Sequence, residues 1–176
     1  MILTRGYLFS PLLSNFIIKH KIMGLDMYLV KKTYIGNKYR KKDKIVKVVI
    51  PQNQEEVTFP TGLIKNERIR ETIEDVGYWR KANHIHKWFV DNVQEGNDDC
   101  KEYYVSRDNL RKLLEVVEQV LANNKLSSEL LPTEEGFFFG GTEYDGDYFG
   151  DLEDTKKILE EVLKEEDGDF YYKSSW

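Results

Sequence analysis

The chain has 176 residues, of which 40% are hydrophobic and 13% aromatic. This length suits one compact domain with its own core, and the composition is too apolar for an intrinsically disordered chain. The single cysteine, Cys100, excludes an internal disulfide framework and favours a reducing intracellular setting. No apolar run approaches the roughly 18 residues of a membrane span, so a membrane partner is not expected.

The net charge of −5 conceals a gradient along the chain. Residues 1–50 carry +9, residues 51–90 are neutral and residues 91–176 carry −14. Such asymmetry is typical of a basic nucleic-acid arm or an acidic tail, although oppositely charged halves can also attract each other within one fold. The basic stretch 31–47 has few interleaved aromatic residues, so we do not expect nucleic acid as a partner.

Residues 1–22 differ in pattern from the rest of the chain. Their apolar stretch is interrupted by Pro11, Ser14 and Asn15, and no small-residue cleavage motif follows, which argues against a signal peptide. A regular pattern begins only at Met23. We therefore predict that Met23 is the true start, that residues 1–22 are a non-native or disordered extension, and that residues 23–176 form a single domain.

The first part of the domain is predicted to be β-structure followed by helix. Alternation and β-branched residues predict strands at 25–34, 45–50 and 55–59, with a basic loop at 38–44. The spacing of Ile69, Ile73 and Val76 then predicts a helix that ends at Gly77, and a second helical run is predicted over 78–93. The later elements, in chain order, are a strand at 102–105, a helix at 107–122 capped by Ser106, a connector at 123–132, a strand at 137–139, a loop at 142–150, a helix at 152–163 and a strand at 170–172. This order predicts an α+β domain with one mixed, mostly antiparallel sheet and two to four helices packed on one face.

The helical run 78–93 contains two histidines with different expected roles. On a helical wheel His86 falls in the apolar arc, so we expect it to be buried, either as a core histidine with one hydrogen bond or as part of a pocket wall. His84 falls on the opposite, polar side and is expected to be solvated, while Asn83 lies at the edge of the arc. Because residues two apart point to different sides of a helix, the pair does not predict a metal site.

An acidic, aromatic loop forms the second candidate constellation. Glu143, Asp145 and Asp147 have the oxygen ligands that Ca²⁺ or Mg²⁺ prefers, but the terminal bidentate Glu of an EF-hand is missing. A solvated loop is therefore favoured over a metal site, and neither a metal nor another cofactor is expected. Glu143 and Asp145 could instead act in acid–base chemistry.

Several motifs of this sequence resemble those of a family of small proteins from bacteriophages and prophages. They are MGLDMYL at 23–29, VGYWRKAN at 76–83, IHKWFV at 85–90, GFFFG at 136–140, EYD at 143–145 and FYY with SSW in the tail at 170–176. The resemblance covers roughly Met23 to Trp176. It implies a phage or prophage setting in the cytoplasm of the host cell and no particular chemistry.

These features together predict a phage accessory protein that binds a small polar or aromatic ligand. A nucleotide-type molecule is one such ligand, and its capture could counter host defence. Aromatic residues would stack on the ligand and polar ones would hydrogen-bond it. The expected ligand-binding residues are Tyr78, Trp79, Arg80, Asn83, His86, Glu143, Tyr144 and Asp145. Two alternatives remain open: an acidic inhibitor that binds a host protein, and a small hydrolase that uses Glu143 or Asp145 with His86. A homo-oligomer is also compatible with the sequence.

Overall fold

The computed structural model describes residues 24–34, 48–50, 55–57 and 70–176. The predicted extension at 1–22, the start at Met23 and the basic loop at 38–44 lie outside these residues. The elements, in chain order, are β1 (Asp26–Tyr34), β2 (Val48–Ile50), β3 (Glu55–Val57), β4 (Glu71–Arg80), α1 (Asn83–Asn92), β5 (Tyr103–Val105), α2 (Arg107–Ala122), a 3₁₀ turn (Asn124–Leu126), α3 (Ser127–Leu130), α4 (Gly146–Val162) and β6 (Asp169–Ser175).

Four strands form one antiparallel sheet in the order β4-β1-β6-β5, and β2 pairs with β3 in a separate two-stranded ribbon. In β1, one of the two inner strands, Leu29 lies opposite Gly77 of β4 and Tyr172 of β6. The sheet and the helices confirm the predicted α+β class, with a sheet that is antiparallel in every pair of the described strands.

One face of this sheet forms the core, and the helices cover it. Met27 and Leu29 point to this face and are completely buried, as their alternation in the sequence predicts. The ring of Phe89 from α1 stacks on Tyr172 at 4.0 Å between centroids. The indole of Trp79 donates a hydrogen bond of 2.8 Å to the Thr155 hydroxyl of α4. These contacts fix α1 against β6 and α4 against the end of β4.

The segment predicted as helix before Gly77 is strand β4 instead, so this prediction is wrong. Its last residues alternate, with Gly77 and Trp79 buried and Tyr78 and Arg80 exposed. The β1–β4 register shifts at Leu29/Val30, where an irregularity interrupts the alternation and leaves apolar spacings that resemble a helical period. Gly77 is required for close approach, because a Cβ atom there would lie 2.9 Å from the Ile158 side chain of α4.

Two further predictions near the carboxyl end need correction. Residues 137–139 form a turn rather than a strand, closed by a 3.0 Å hydrogen bond from the Phe139 amide to the Gly136 carbonyl. The last helix begins at Gly146 rather than at 152, because the Asp145 side chain caps it by accepting bonds from the amides of Asp147 and Tyr148. Residues 146–150 of the predicted loop at 142–150 therefore belong to α4.

The amphipathic helix α2 agrees with its prediction at both ends, and the Ser106 hydroxyl caps it by accepting a bond from the Asn109 amide. On its apolar side Leu110 and Leu113 are fully buried in the core, and Leu114 and Leu121 are partly buried against it. Within the described ranges, no helix combines the length and the apolar character that crossing a membrane requires.

Candidate binding pocket

A pocket of about 450 Å³ lies where the turn from β4 into α1 faces the beginning of α4. This volume is in the usual range for small-molecule sites. Its lining consists mainly of charged and polar residues and glycines: Arg80, Lys81, Asn83, His84, Thr133, Gly140, Gly141, Glu143, Asp145, Gly146, Asp147, Tyr148, Gly150, Asp151 and Asp154.

A sharp turn at Lys81 forms one wall of the pocket. Lys81 has a φ of 63°, a backbone conformation that is costly for a residue with a side chain. Gly140, with a φ of 92°, packs against it so closely that a Cβ atom would lie 3.1 Å from the Lys81 carbonyl oxygen. The Lys81 amide donates to the Leu25 carbonyl at 2.8 Å, which ties the turn to the start of β1. The backbone of this turn is therefore strained at Lys81, while Gly140 supplies a positive φ that only glycine adopts easily.

The Asn83 side chain holds the segment that leads into α4 against the start of α1, and we call it the clamp. Its amide nitrogen donates to the carbonyls of Phe139 and Gly141, at 3.1 and 2.7 Å, and its oxygen accepts from the Glu134 amide at 3.0 Å. All of these partners lie in the segment that leads into α4, and Asn83 is only 1% exposed. Asn83 therefore shapes the pocket by holding the loop, and its amide is already used within the protein.

Arg80 reaches the pocket from the end of β4 but is neutralised locally. Its guanidinium donates to Asp26 at 2.8 Å, and the Tyr78 hydroxyl donates to the same carboxylate oxygen at 2.7 Å. The hydrogen bond to Asp26 raises the pKa of Tyr78 above its ordinary value. Since Asp26 is 4% exposed, Arg80 mainly compensates a buried carboxylate.

The opposite wall is an acidic stripe at the start of α4. Asp147, Asp151 and Asp154 follow one another at spacings of four and three residues, so they project from one side of the helix. Asp154 pairs with Lys157 at 2.8 Å. Among the described residues, neither Asp147 nor Asp151 has an ion-pair partner, and neither has Glu143 at the rim.

The carboxyl of Asp151 in this wall has a raised pKa. Burial, reinforced by the neighbouring carboxylates of Asp147, Asp154 and Asp145, raises its pKa to about 6. It lies beyond the first turn of α4, where the helix dipole no longer stabilises a negative charge effectively. The pocket thus holds a carboxylate whose charge is poorly compensated by the protein.

His84 lines the same pocket and is buried, so the prediction that it is solvated is wrong. It is 3% exposed, and its ring packs against Tyr148 of α4 at 4.2 Å between centroids. Burial lowers its pKa to about 3, so the imidazole is neutral. Among the residues that the structure describes, its Nε2 atom has no hydrogen-bond partner, and each buried polar atom of this kind needs an explanation. A bound molecule that supplies the missing partner is the explanation we pursue.

The structure brings together four of the eight expected ligand-binding residues, Arg80, Asn83, Glu143 and Asp145, around this pocket. The other four do not line it: Tyr78, Trp79, His86 and Tyr144. Tyr78 lies on the outer face of the sheet, with its ring 5.3 Å from that of Tyr28. Trp79 is buried in the core at 3% exposure. Neither aromatic ring can stack on a molecule in the pocket.

Tyr144 and His86 are placed elsewhere for different reasons. Tyr144 packs on the outside of Tyr148 at 5.0 Å between ring centroids and is 40% exposed. His86 is completely buried, as predicted, and both of its ring nitrogens are engaged, by the Tyr172 hydroxyl at 2.7 Å and by Asp98 at 3.1 Å. This favours the reading of His86 as a satisfied core histidine. A hydrolytic site joining His86 to Glu143 or Asp145 has no support in this geometry.

Sequence reasoning missed His84, Lys81, Asp147, Asp151 and Asp154 as pocket residues. The acidic stripe had a readable signal, since three aspartates at helical spacing follow an N-capping aspartate. His84 had no such signal, because its burial depends on α4, some sixty residues further along the chain.

Within the described part of the chain, no group of three or more His, Cys, Asp or Glu residues is arranged to hold a metal ion. Comparisons with protein-family models, with curated proteins and with solved structures give no match.

Proposed function

We propose that this chain is a binding protein that holds a small polar molecule in the pocket between the Lys81 turn and α4. The observation that carries the proposal is His84, which lines the pocket and whose buried Nε2 atom has no hydrogen-bond partner among the described residues. Leaving such an atom unpaired costs about 1–3 kcal/mol, a cost that a ligand hydrogen bond removes. The strained backbone at Lys81 in the pocket wall supports the same view.

The resemblance to phage and prophage proteins suggests a purpose for such binding. We propose that capture withdraws a small molecule that the host uses, for example as a defence signal. The pocket walls disfavour a ligand dominated by phosphate, because five carboxylates and only two cations line them. A nucleotide-type ligand would have to place its phosphate at Arg80 and Lys81.

Native mass spectrometry of the purified protein after incubation with a bacterial metabolite extract tests this proposal. A Cβ atom at Gly150 meets nothing within 4 Å, so this position of the pocket lining has room for a side chain, and Gly150→Phe places a bulky ring there. Glu153→Phe places the same ring on the exposed part of α4 and is the matched control. We expect a retained small molecule with the wild type and with the control, and none with Gly150→Phe. Equal retention by all three proteins, or no retained mass at all, contradicts the proposal.

A second candidate, an acidic inhibitor of a host protein, is supported by the charge of −14 over residues 91–176. Such an inhibitor would bind a basic surface in a salt-dependent manner. Filling the pocket with Gly150→Phe would leave that interaction intact, which separates the two functions.

A further inference from the structure

We infer that the ligand of this pocket is an organic cation, an amine or guanidinium compound, whose charged group lies against Asp147 and Asp151 and which also contacts Nε2 of His84. The inference rests on the proposed function and specifies its ligand class. It depends on the distribution of charge in the pocket, on the protonation state of the histidine and on the availability of hydrogen-bonding atoms.

The carboxylates of the α4 wall are the groups most in need of a counter-ion. Asp147 and Asp151 have no ion-pair partner among the described residues, whereas Asp154 is paired with Lys157 and Asp145 caps the helix. The same burial and crowding of like charges that raise the pKa of Asp151 would be relieved by a cation placed between these side chains. A neutral or anionic ligand would not relieve them.

The cations of the protein itself do not fill this role. The Arg80 guanidinium is committed to Asp26 at the end of β4. The stem of Lys81 runs past Gly24 and Gly140, and within the described residues its ammonium forms no ion pair with Asp147 or Asp151. A Cβ atom on Gly24 would lie 3.3 Å from the Lys81 Cε atom. The net charge of the lining residues therefore remains negative, with five carboxylates against two basic side chains.

His84 is suited to a cationic neighbour because it is neutral. A protonated imidazole would repel an ammonium or guanidinium group, but burial keeps this ring unprotonated at physiological pH. In the tautomer protonated on Nδ1, its Nε2 atom is an acceptor for a ligand N–H group. A guanidinium or ammonium group has several such donors, enough to reach both the imidazole and a carboxylate.

An NMR titration of the full chain with four small probes tests the inference. The probes are butylamine, butylguanidine, butanol and butyrate, which share one alkyl chain and differ in the charge of the head group. We expect the two cations to shift the backbone amide signals of Gly146 and Gly150, and butanol and butyrate to leave them unchanged. Asp151→Asn should weaken binding of the cations by about tenfold or more, since hydrogen bonds to charged groups are the strong ones. Glu153→Gln removes a charge from the exposed side of the same helix and should change the affinity little.

The outcomes separate this inference from the proposed function. Butanol or butyrate binding as well as the cations, or Asp151→Asn binding the cations unchanged, overturns the inference. A second outcome is that none of the four probes binds, while the wild type retains a metabolite and Gly150→Phe does not. The pocket then binds a ligand of another class, so the inference falls and the proposed function stands. If the cations bind but Gly150→Phe binds them equally well, both fail.

Discussion

The substitution His84→Phe tests two effects of the His84 imidazole separately: the stability that its unpartnered Nε2 atom costs, and the ligand affinity to which that atom contributes. The phenyl ring keeps the contact with Tyr148, at 4.2 Å in the wild type, and removes the Nε2 atom that has no partner. Since an unsatisfied buried polar atom costs about 1–3 kcal/mol and the larger ring takes back part of that gain, we expect a net stabilisation of about 1 kcal/mol. For a chain of this size that corresponds to an increase in Tm of about 2–4 °C.

The same variant has a distinct pH dependence. In the folded protein burial lowers the pKa of His84 to about 3, whereas the unfolded chain has the ordinary value near 6.5. Between these values the unfolded state binds the additional proton, so the wild type loses stability as the pH falls, and the phenylalanine variant lacks this loss. Between pH 7 and pH 5 we expect the stability advantage of His84→Phe to grow by about 2 kcal/mol.

Urea unfolding of both proteins at pH 7 and pH 5 measures this change directly. A stability difference that is the same at the two pH values would show that His84 titrates normally in the folded protein and would refute the account of its burial. The variant should also bind butylguanidine more weakly, although it is more stable. Unchanged affinity would show that Nε2 does not contact the ligand.

Three further changes test the walls of the pocket. Asp151→Asn should stabilise the protein at pH 7, and urea unfolding should show this gain shrinking as the pH falls from about 6 to 3.8, because the wild-type carboxyl becomes protonated in the folded state first. Gly140→Ala should lower the free energy of unfolding by about 2 kcal/mol, since its φ of 92° and its contact with Lys81 exclude a side chain, whereas Gly141→Ala, with open space around it, should change stability little. Asn83→Ala should cost about 3 kcal/mol in the same assay by leaving three backbone groups unpaired, and a loss below 1 kcal/mol would contradict its role as the clamp.

Elements with strong local signals could be predicted from the sequence. The apolar spacing and the Ser106 cap define α2 completely, and the alternation after Leu25 defines β1. These patterns suffice because each element buries one face and its ends are set by neighbouring residues. The α+β class follows from their order.

Strand β4 could not be predicted because the spacing of its apolar residues resembles the period of a helix and not the alternation of a strand. The irregularity opposite Leu29/Val30 breaks the alternation, and Gly77 contributes no apolar side chain although its position is in the core. The requirement for glycine there comes from Ile158 of α4, which the local sequence does not contain. Because this strand was predicted as helix, Tyr78 and Trp79 were expected to face the ligand, whereas one lies on the outer face of the sheet and the other in the core.

The pocket itself depends on contacts between distant segments. Arg80 and Asn83 were predicted within a helical run, and Glu143 and Asp145 in an acidic loop; the four line one pocket because the turn after β4 faces the start of α4. The role of His84 was missed because a wheel drawn for one helix cannot show that a second helix covers its polar side. Tertiary packing turned a surface position into the buried centre of the site.

The central claim is that a neutral, unpartnered His84 forms part of a ligand site, and NMR of its imidazole tests it most directly. The account predicts that the His84 ring signals do not titrate between pH 7 and pH 5 in the free protein and that they change on addition of butylguanidine. A ring that titrates near pH 6.5 and does not respond to the added guanidine would contradict the claim.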